Sequence, residues 1–193
     1  WFRPVQFENG PSGCLYILDM YREVIEHPKS LPAEIKKHLD LTSGKNLGRI
    51  YRFGTPKLKR KYKDRGDLKP QIDVESLVEF LDHPNSWHRE TAARLIFERQ
   101  DATAVQYLQT VRVKNFGELG RLHALYALDG LGRLKLDDLM IACQDADPNI
   151  RRHSILLAEK NNHQWIYDTC FKKLVDDPDP QVRLQLAFSI GFT

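Results

Sequence analysis

The stretch LDMYREVIEHP at positions 18–28 holds Asp19, Tyr21, Arg22, Glu23, Glu26 and His27 within nine residues. Such a density of ionisable groups reads in two ways, as a catalytic constellation or as the solvated end of a structural element. In the structural reading, Asp19 and Arg22 pair with each other or cap backbone groups, and Glu26-His27-Pro28 forms the turn into a helix.

Elsewhere the chain offers little catalytic chemistry. His83 and His88 are separated by four residues across a turn containing Pro84, which is not the H-E-x-x-H spacing that puts two ligands on one helical face. The seven histidines show no other ligand spacing. Ser, Cys and His occur without a nucleophile elbow or a phosphate-binding glycine loop. Cys14, Cys143 and Cys170 are odd in number, far apart and free of C-x-x-C, so each is expected to be a buried thiol rather than part of a disulfide framework or zinc knuckle. No metal or catalytic residue is expected.

Positive charge is concentrated in one place. KLKRKYKDRGDLK at 57–69 has seven basic and two acidic residues against a net of +3 for the whole chain. Lys57, Lys59, Arg60, Lys61 and Lys63, with Tyr62 among them, are candidate anion-binding residues. The later segments are slightly acidic, so a solvated linker containing Gly66 and Pro70 is the simpler account and a nucleic-acid partner is not expected. At 193 residues and 41% hydrophobic the chain can bury a core. It contains no run of about 18 apolar residues that would span a membrane. Beginning at WFRPVQF and stopping at SIGFT, it is expected to be a piece of a longer protein.

The elements that must position these residues fall into two textures. From about residue 73 the chain repeats. Aligning SWHRETAARLI, ELGRLHALYAL, NIRRHSILLAE and QVRLQLAFSIG places apolar anchors at Trp87, Leu119, Ile150 and Val182, with spacings of 32, 31 and 32. Ala92, Ala124, Ile155 and Ala187 lie five residues further on, and a basic residue follows each anchor. In DADPNI and DPDPQV, Asp147 and Asp179 can cap backbone N–H groups while Pro148 and Pro180 take the first helical position. Ser86 and Asn115 are the expected caps of the two earlier units. VESLVEFLDH, ATAVQYLQTV, LDDLMIACQD and WIYDTCFKKLVDD supply the preceding helices. A helix pair cannot bury its apolar face alone, so four pairs are expected to stack as a solenoid.

This pattern resembles the HEAT-repeat family, whose units carry a D-x-D-P-x-V-R-x-x-A-like motif. It is matched here by Asp145, Asp147, Pro148, Ile150 and Arg151, and by Asp177, Asp179, Pro180, Val182, Arg183 and Ala187. The resemblance implies a structural ladder between repeats, with Asp147, Arg151, Asp179 and Arg183 as its members.

Before residue 56 the texture is different. PVQFEN, CLYILDMY and GRIYRF read as short strands, NGPSG as a turn and SLPAEIKKHL as a short helix with Pro32 in its first turn. Three strands and one helix make a marginal unit. Gly10, Pro11, Gly13, Leu15, Tyr16, Asp19 to Arg22, Ile25 to Pro28 and Gly48 to Arg52 resemble the last blade of the sugar-dehydrogenase-like β-propeller of large bacterial multidomain proteins labelled membrane-bound dehydrogenases. That resemblance implies an exported parent. It makes Asp19, Arg22 and His27 candidate residues of a rim site for a quinone cofactor or sugar, present only in the parent because a propeller needs several blades to close.

The resulting expectation is a mainly α protein: a β-rich segment over 1–55, a basic linker over 56–72 and HEAT-like repeats over 73–193. Its expected role is a non-catalytic scaffold or protein-interaction module, with a protein or a neighbouring domain of the same parent as partner and no cofactor of its own. The alternatives are part of a quinone-dependent dehydrogenase and nucleic-acid binding through 57–69.

Overall fold

The computed structural model describes residues 1–54, 68–69, 71–111, 115–160 and 171–190. The chain is mainly helical with a small N-terminal sheet, and it divides into two compact units, Trp1–Asp67 and Leu68–Thr193.

In the first unit, β1 (Pro4–Asn9), β2 (Leu15–Asp19) and β3 (Arg49–Phe53) form an antiparallel sheet in that order, with the short helix α1 (Ala33–Lys36) between β2 and β3. The three strands expected from the sequence are all present. Phe7 stands opposite Ile17 and Ile17 opposite Tyr51, so one face carries an apolar row. Period-2 alternation sends Leu18 and Ile50 to the other face. Every residue of β1 and β3 is exposed, and only Gly10, Cys14 and Asp19 are buried among residues 1–54. The sheet has its hydrogen bonds but no core of its own.

The second unit contains α2 (Val74–Glu79), α3 (Ser86–Arg99), α4 (Ala104–Thr110), α5 (Glu118–Gly130), α6 (Leu136–Ala142), α7 (Pro148–Lys160), α8 (Lys172–Leu174) and α9 (Pro180–Ile190). One core cluster joins Leu77, Leu81, Ile96, Leu108 and Leu128, and the other joins Leu125, Leu139, Ile155, Phe171 and Leu186. Helix α5 feeds both, because Ala124 and Leu128 turn to the first while Leu125 turns to the second. Helix α3 packs on α5, α5 on α7, and α7 on α9. Leu68 and Ile72 pack against the first cluster, and Arg99 donates to the Ile72 carbonyl at 2.6 Å. The helical unit therefore begins inside the segment expected to be linker.

The caps follow the turn chemistry. Asp147 Oδ1 accepts from the N–H groups of Asn149 and Ile150, and Asp179 Oδ1 from those of Gln181 and Val182, with Pro148 and Pro180 opening their helices as expected. Two expected caps are displaced. Asn85 rather than Ser86 caps α3, accepting from Trp87 N at 3.1 Å. At α5 the cap position is Gly117, while Asn115 lies two residues earlier at φ +48°.

Candidate functional site

In the N-terminal unit the candidates Asp19, Arg22 and His27 are each engaged by local structure. Asp19 ends β2 with its side chain fully buried, and its Oδ1 accepts from Arg3 N at 2.7 Å and Tyr21 N at 3.0 Å. These bonds hold the chain where it leaves the strand, at a point where Tyr21 adopts φ +50° and its carbonyl faces Gly44. A Cβ on Gly44 would come within 2.0 Å of that oxygen, so the loop crossing there requires glycine. The partner of Asp19 across the sheet is Arg49, not Arg22, with Nε 3.7 Å from Oδ2 and the guanidinium 3.8 Å over the Tyr21 ring. Burial pushes the Asp19 carboxyl up, but the Arg3 and Tyr21 N–H groups and the Arg49 charge outweigh it and hold the carboxyl below its ordinary value.

Arg22 points elsewhere, donating to the Leu41 carbonyl at 2.6 Å. His27 Nδ1 accepts from Lys29 N at 3.1 Å and caps a single turn of 3-10 helix at Pro28–Ser30. Of the two alternatives left open for Asp19 and Arg22, the mutual pair does not form, and β3 brings Arg49 to the carboxylate on the same sheet face. The backbone-capping part of the structural reading describes all three residues.

The expected anion-binding residues Lys57, Lys59, Arg60, Lys61 and Lys63 lie outside the described residues, as does Cys170. Cys14 and Cys143 are buried thiols, and Cys143 Sγ lies 3.1 Å from Ser154 Oγ. His83 and His88 are buried with ring centroids 4.2 Å apart, each stacked on Phe80. Among the described residues no group of three or more His, Cys, Asp or Glu side chains is placed to hold a metal, and no helix is long and apolar enough to cross a membrane. A cavity lined by Leu108, Leu128, Asp138, Ile141 and Ile150 has about 40 Å³, whereas a more open depression over Asn115, Phe116, Arg121, Ile141 and Asp145 has about 410 Å³.

The most highly organised polar feature is a set of arginine clamps between successive helical turns. Arg121 of α5 grips Asp145, in the turn before α7, through Nε at 2.9 Å and Nη2 at 2.8 Å. Arg151 of α7 grips Asp177, in the turn before α9, at 2.7 and 2.9 Å. In each case the third nitrogen, Nη1, donates to a carbonyl of the arginine's own turn: Phe116 for Arg121, and Asp145 with Ala146 for Arg151. Arg89 and Arg183 make the same bond to the His83 and Asp177 carbonyls. The Asp145 and Asp177 carboxylates also accept from the Asp147 and Asp179 N–H groups two residues on.

Each clamp thus joins two turns and satisfies a nearly buried carboxylate from several directions, the setting in which a charge pair resists disruption. Burial pushes the Asp145 carboxyl up, but Arg121 and the Asp147 N–H outweigh it and hold it below its ordinary value. The Arg151 bonds lower Asp177 against burial, and both clamping guanidinium groups are correspondingly raised.

Of the two arginines expected in the ladder, Arg151 grips a carboxylate while Arg183 bonds the Asp177 and Pro178 carbonyls; Arg121, not among the expected members, makes the other clamp, and the acids differ too. Asp147 and Asp179 cap helices, and Asp145 and Asp177 take the arginines, because an Asp-x-Asp-Pro turn directs its second carboxylate to its own helix and its first to the preceding unit. Between α3 and α5 the pattern lapses. Asn115 stands where Asp145 and Asp177 stand in later units, and the Asp82 carboxylate accepts from Gly117 N at 3.1 Å instead. Arg89 Nε has no hydrogen-bond acceptor among the described residues.

Residues 1–57, which contain the sheet and the Asp19 turn, match a protein family described as Domain of unknown function (DUF7133). No curated protein matches the chain.

Proposed function

We propose that residues 68–193 are a HEAT-like solenoid of four helix pairs serving as a non-catalytic scaffold that holds a protein partner or a neighbouring domain of its parent. The observation that carries this reading is the recurrence of one clamp, Arg121 on Asp145 and Arg151 on Asp177, at equivalent places in successive units. A clamp repeated with the helix pair sets the same spacing at each step, and stacking of that kind produces an extended surface suited to protein recognition. The test is cross-linking mass spectrometry on the parent protein in its native cells. Reproducible cross-links from residues 68–193 to one other protein or domain are expected, and cross-links confined to this segment itself overturn the reading.

A second reading concerns residues 1–54. Apolar side chains stand exposed on both faces of the sheet, Phe7 and Phe53 on one and Ile50 on the other. Such a sheet fits between other sheets, as a propeller blade does. On this reading any quinone or sugar chemistry belongs to the assembled parent. Titration of the parent with a quinone cofactor and sugars tests it, and absence of binding removes the dehydrogenase assignment.

A further inference from the structure

Three turns of the helical unit share one hydrogen-bond pattern, in which a side chain accepts from the backbone N–H two residues on and the residue there caps the next helix. Asp145 Oδ1 accepts from Asp147 N at 2.9 Å, and Asp177 Oδ1 from Asp179 N at 2.9 Å. In the turn joining α2 to α3 the acceptor is His83 Nδ1, 3.0 Å from Asn85 N, and Asn85 Oδ1 then takes Trp87 N. The arginine bonds mark the three places as equivalent. Arg89, Arg151 and Arg183 each donate from Nη1 to the carbonyl six residues back, on His83, Asp145 and Asp177. An imidazole thus stands where the later turns have a carboxylate.

This exchange changes what acid does to the turn. Nδ1 accepts only while it carries no proton, so the bond to Asn85 N fixes a neutral ring with its proton on Nε2. A proton on Nδ1 sets two N–H groups against each other, and flipping the ring to relieve this gives up the same bond. The ring has little room, being 4% exposed, stacked on Phe80 and 4.2 Å from the His88 ring. On the elements packed around the turn, the charged and titratable groups are Glu79 and Asp82, then His88, Arg89 and Glu90 of α3, and Glu118, Arg121 and His123 of α5. The acids favour a charged ring and Arg89 opposes it. Neither changes the atom that Nδ1 faces, and the cap depends on that atom.

We propose that the α2–α3 turn is a proton-operated latch, closed through the His83–Asn85 bond while the imidazole is neutral and opened by protonation of Nδ1, which loosens α2 from α3 while the Asp145 and Asp177 turns stay shut. Helix α2 packs on α3 and α4 and carries Leu77 and Val78 into the first core cluster, so the latch governs how that end of the cluster closes. The open turn takes up the proton first. Closure is therefore complete above the ordinary imidazole value of about 6.5 and falls about tenfold by one pH unit below it. Asp145 and Asp177 lie below the ordinary 3.8, so their turns keep their acceptors throughout that range.

The experiment follows the full chain by NMR from pH 8 to pH 5.5. At pH 8 the imidazole nitrogen-15 resonances should show His83 with its proton on Nε2. Amides of capping turns exchange by local opening and report each turn separately. Between pH 7.5 and 5.5 the protection factors of the Asn85 and Trp87 amides should fall about tenfold or more, while those of Asp147 and Asp179 stay within about twofold. His83→Asn supplies an acceptor oxygen that does not titrate and should remove the fall. His88→Leu, which gives that position the aliphatic character of Ile150 and Val182, should leave the fall in place. The proposal is overturned by a proton on Nδ1 at pH 8, by Asn85 protection that does not change with pH, or by an equal fall at Asp147 and Asp179. A fall that survives His83→Asn, or one that His88→Leu abolishes, overturns it too. Should the buried His83→Asn variant fail to fold, the wild-type tautomer and the contrast among the three turns decide.

Discussion

Leu77, Leu81, Leu139 and Ile155 of the helical unit are 0% exposed, while Phe7, Ile50 and Phe53 of the N-terminal unit stand at 56%, 68% and 73%. Both regions are rich in apolar side chains, but only one closes them into a core. The helical unit can do so because successive helices pack on one another and α5 serves two clusters at once. Among the described residues, three strands and one four-residue helix lay no second layer over either face. Polar residues follow the same division. In the sheet unit they tie local backbone together, and in the helical unit they clamp one turn to the next.

The largest effect is expected from separating the regions. A peptide of residues 1–54 should show neither strand ellipticity nor dispersed amide resonances, while residues 68–193 alone should keep their helices and melt cooperatively. A dispersed spectrum from the short peptide would break the contrast.

Within the helical unit, Leu139→Ala should cost about 3–4 kcal/mol by urea titration, since it opens a cavity at a residue with no exposed surface. Arg151→Ala should cost about 3 kcal/mol, because Asp177, with a side chain only 4% exposed, loses its counter-charge while remaining nearly buried. A cost below about 1 kcal/mol would reduce the clamp to an ordinary surface pair.

Acid should weaken this unit in two steps. Burial, with Arg89 near one ring and Arg152 near the other, lowers His123 and His153 below the ordinary 6.5. The unfolded chain therefore takes up those protons first, and stability falls as the pH drops below about 6.5. Asp145 and Asp177 lie below the ordinary 3.8, so their contribution is intact above that value and is lost as the pH falls through their folded-state values. Urea midpoints measured between pH 7 and 3 should show both declines, and Asp177→Asn should flatten only the second. At the small end, Phe53→Ser in the full chain should move the melting of the helical unit by less than about 0.5 kcal/mol, as expected of an exposed side chain.

Much of the fold was legible in the sequence. The three strands lie where β-branched and aromatic runs lie between turn residues, and α7 and α9 start at the prolines of their Asp-x-Asp-Pro turns. The repeat was legible in period but not in phase. Anchors read at Trp87 and Leu119 are half-buried and exposed, respectively, and the inward positions of those units are His88 and Gly120, equivalent to Ile150 and Val182. The ladder arginines are accordingly spaced at 32, 30 and 32 residues. An apolar search cannot find a histidine or a glycine facing a core, and a slip of one residue turns a helix face by about 100°.

The sequence alone determined where the three strands lie, that α7 and α9 open at Pro148 and Pro180 under the caps Asp147 and Asp179, and the positive character of 57–69, because these depend on neighbours in the chain. Tertiary structure decided which carboxylate of each Asp-x-Asp-Pro turn meets an arginine, since Asp145 and Asp147 differ in sequence by two positions but in space by facing different helices. It also decided the opening cluster, where Asp19, Arg22 and His27, close in sequence, serve three separate backbone sites. Their proximity reflects the end of one strand, and Arg49, thirty residues along the chain from Asp19, supplies the counter-charge because β3 pairs with β2 in register.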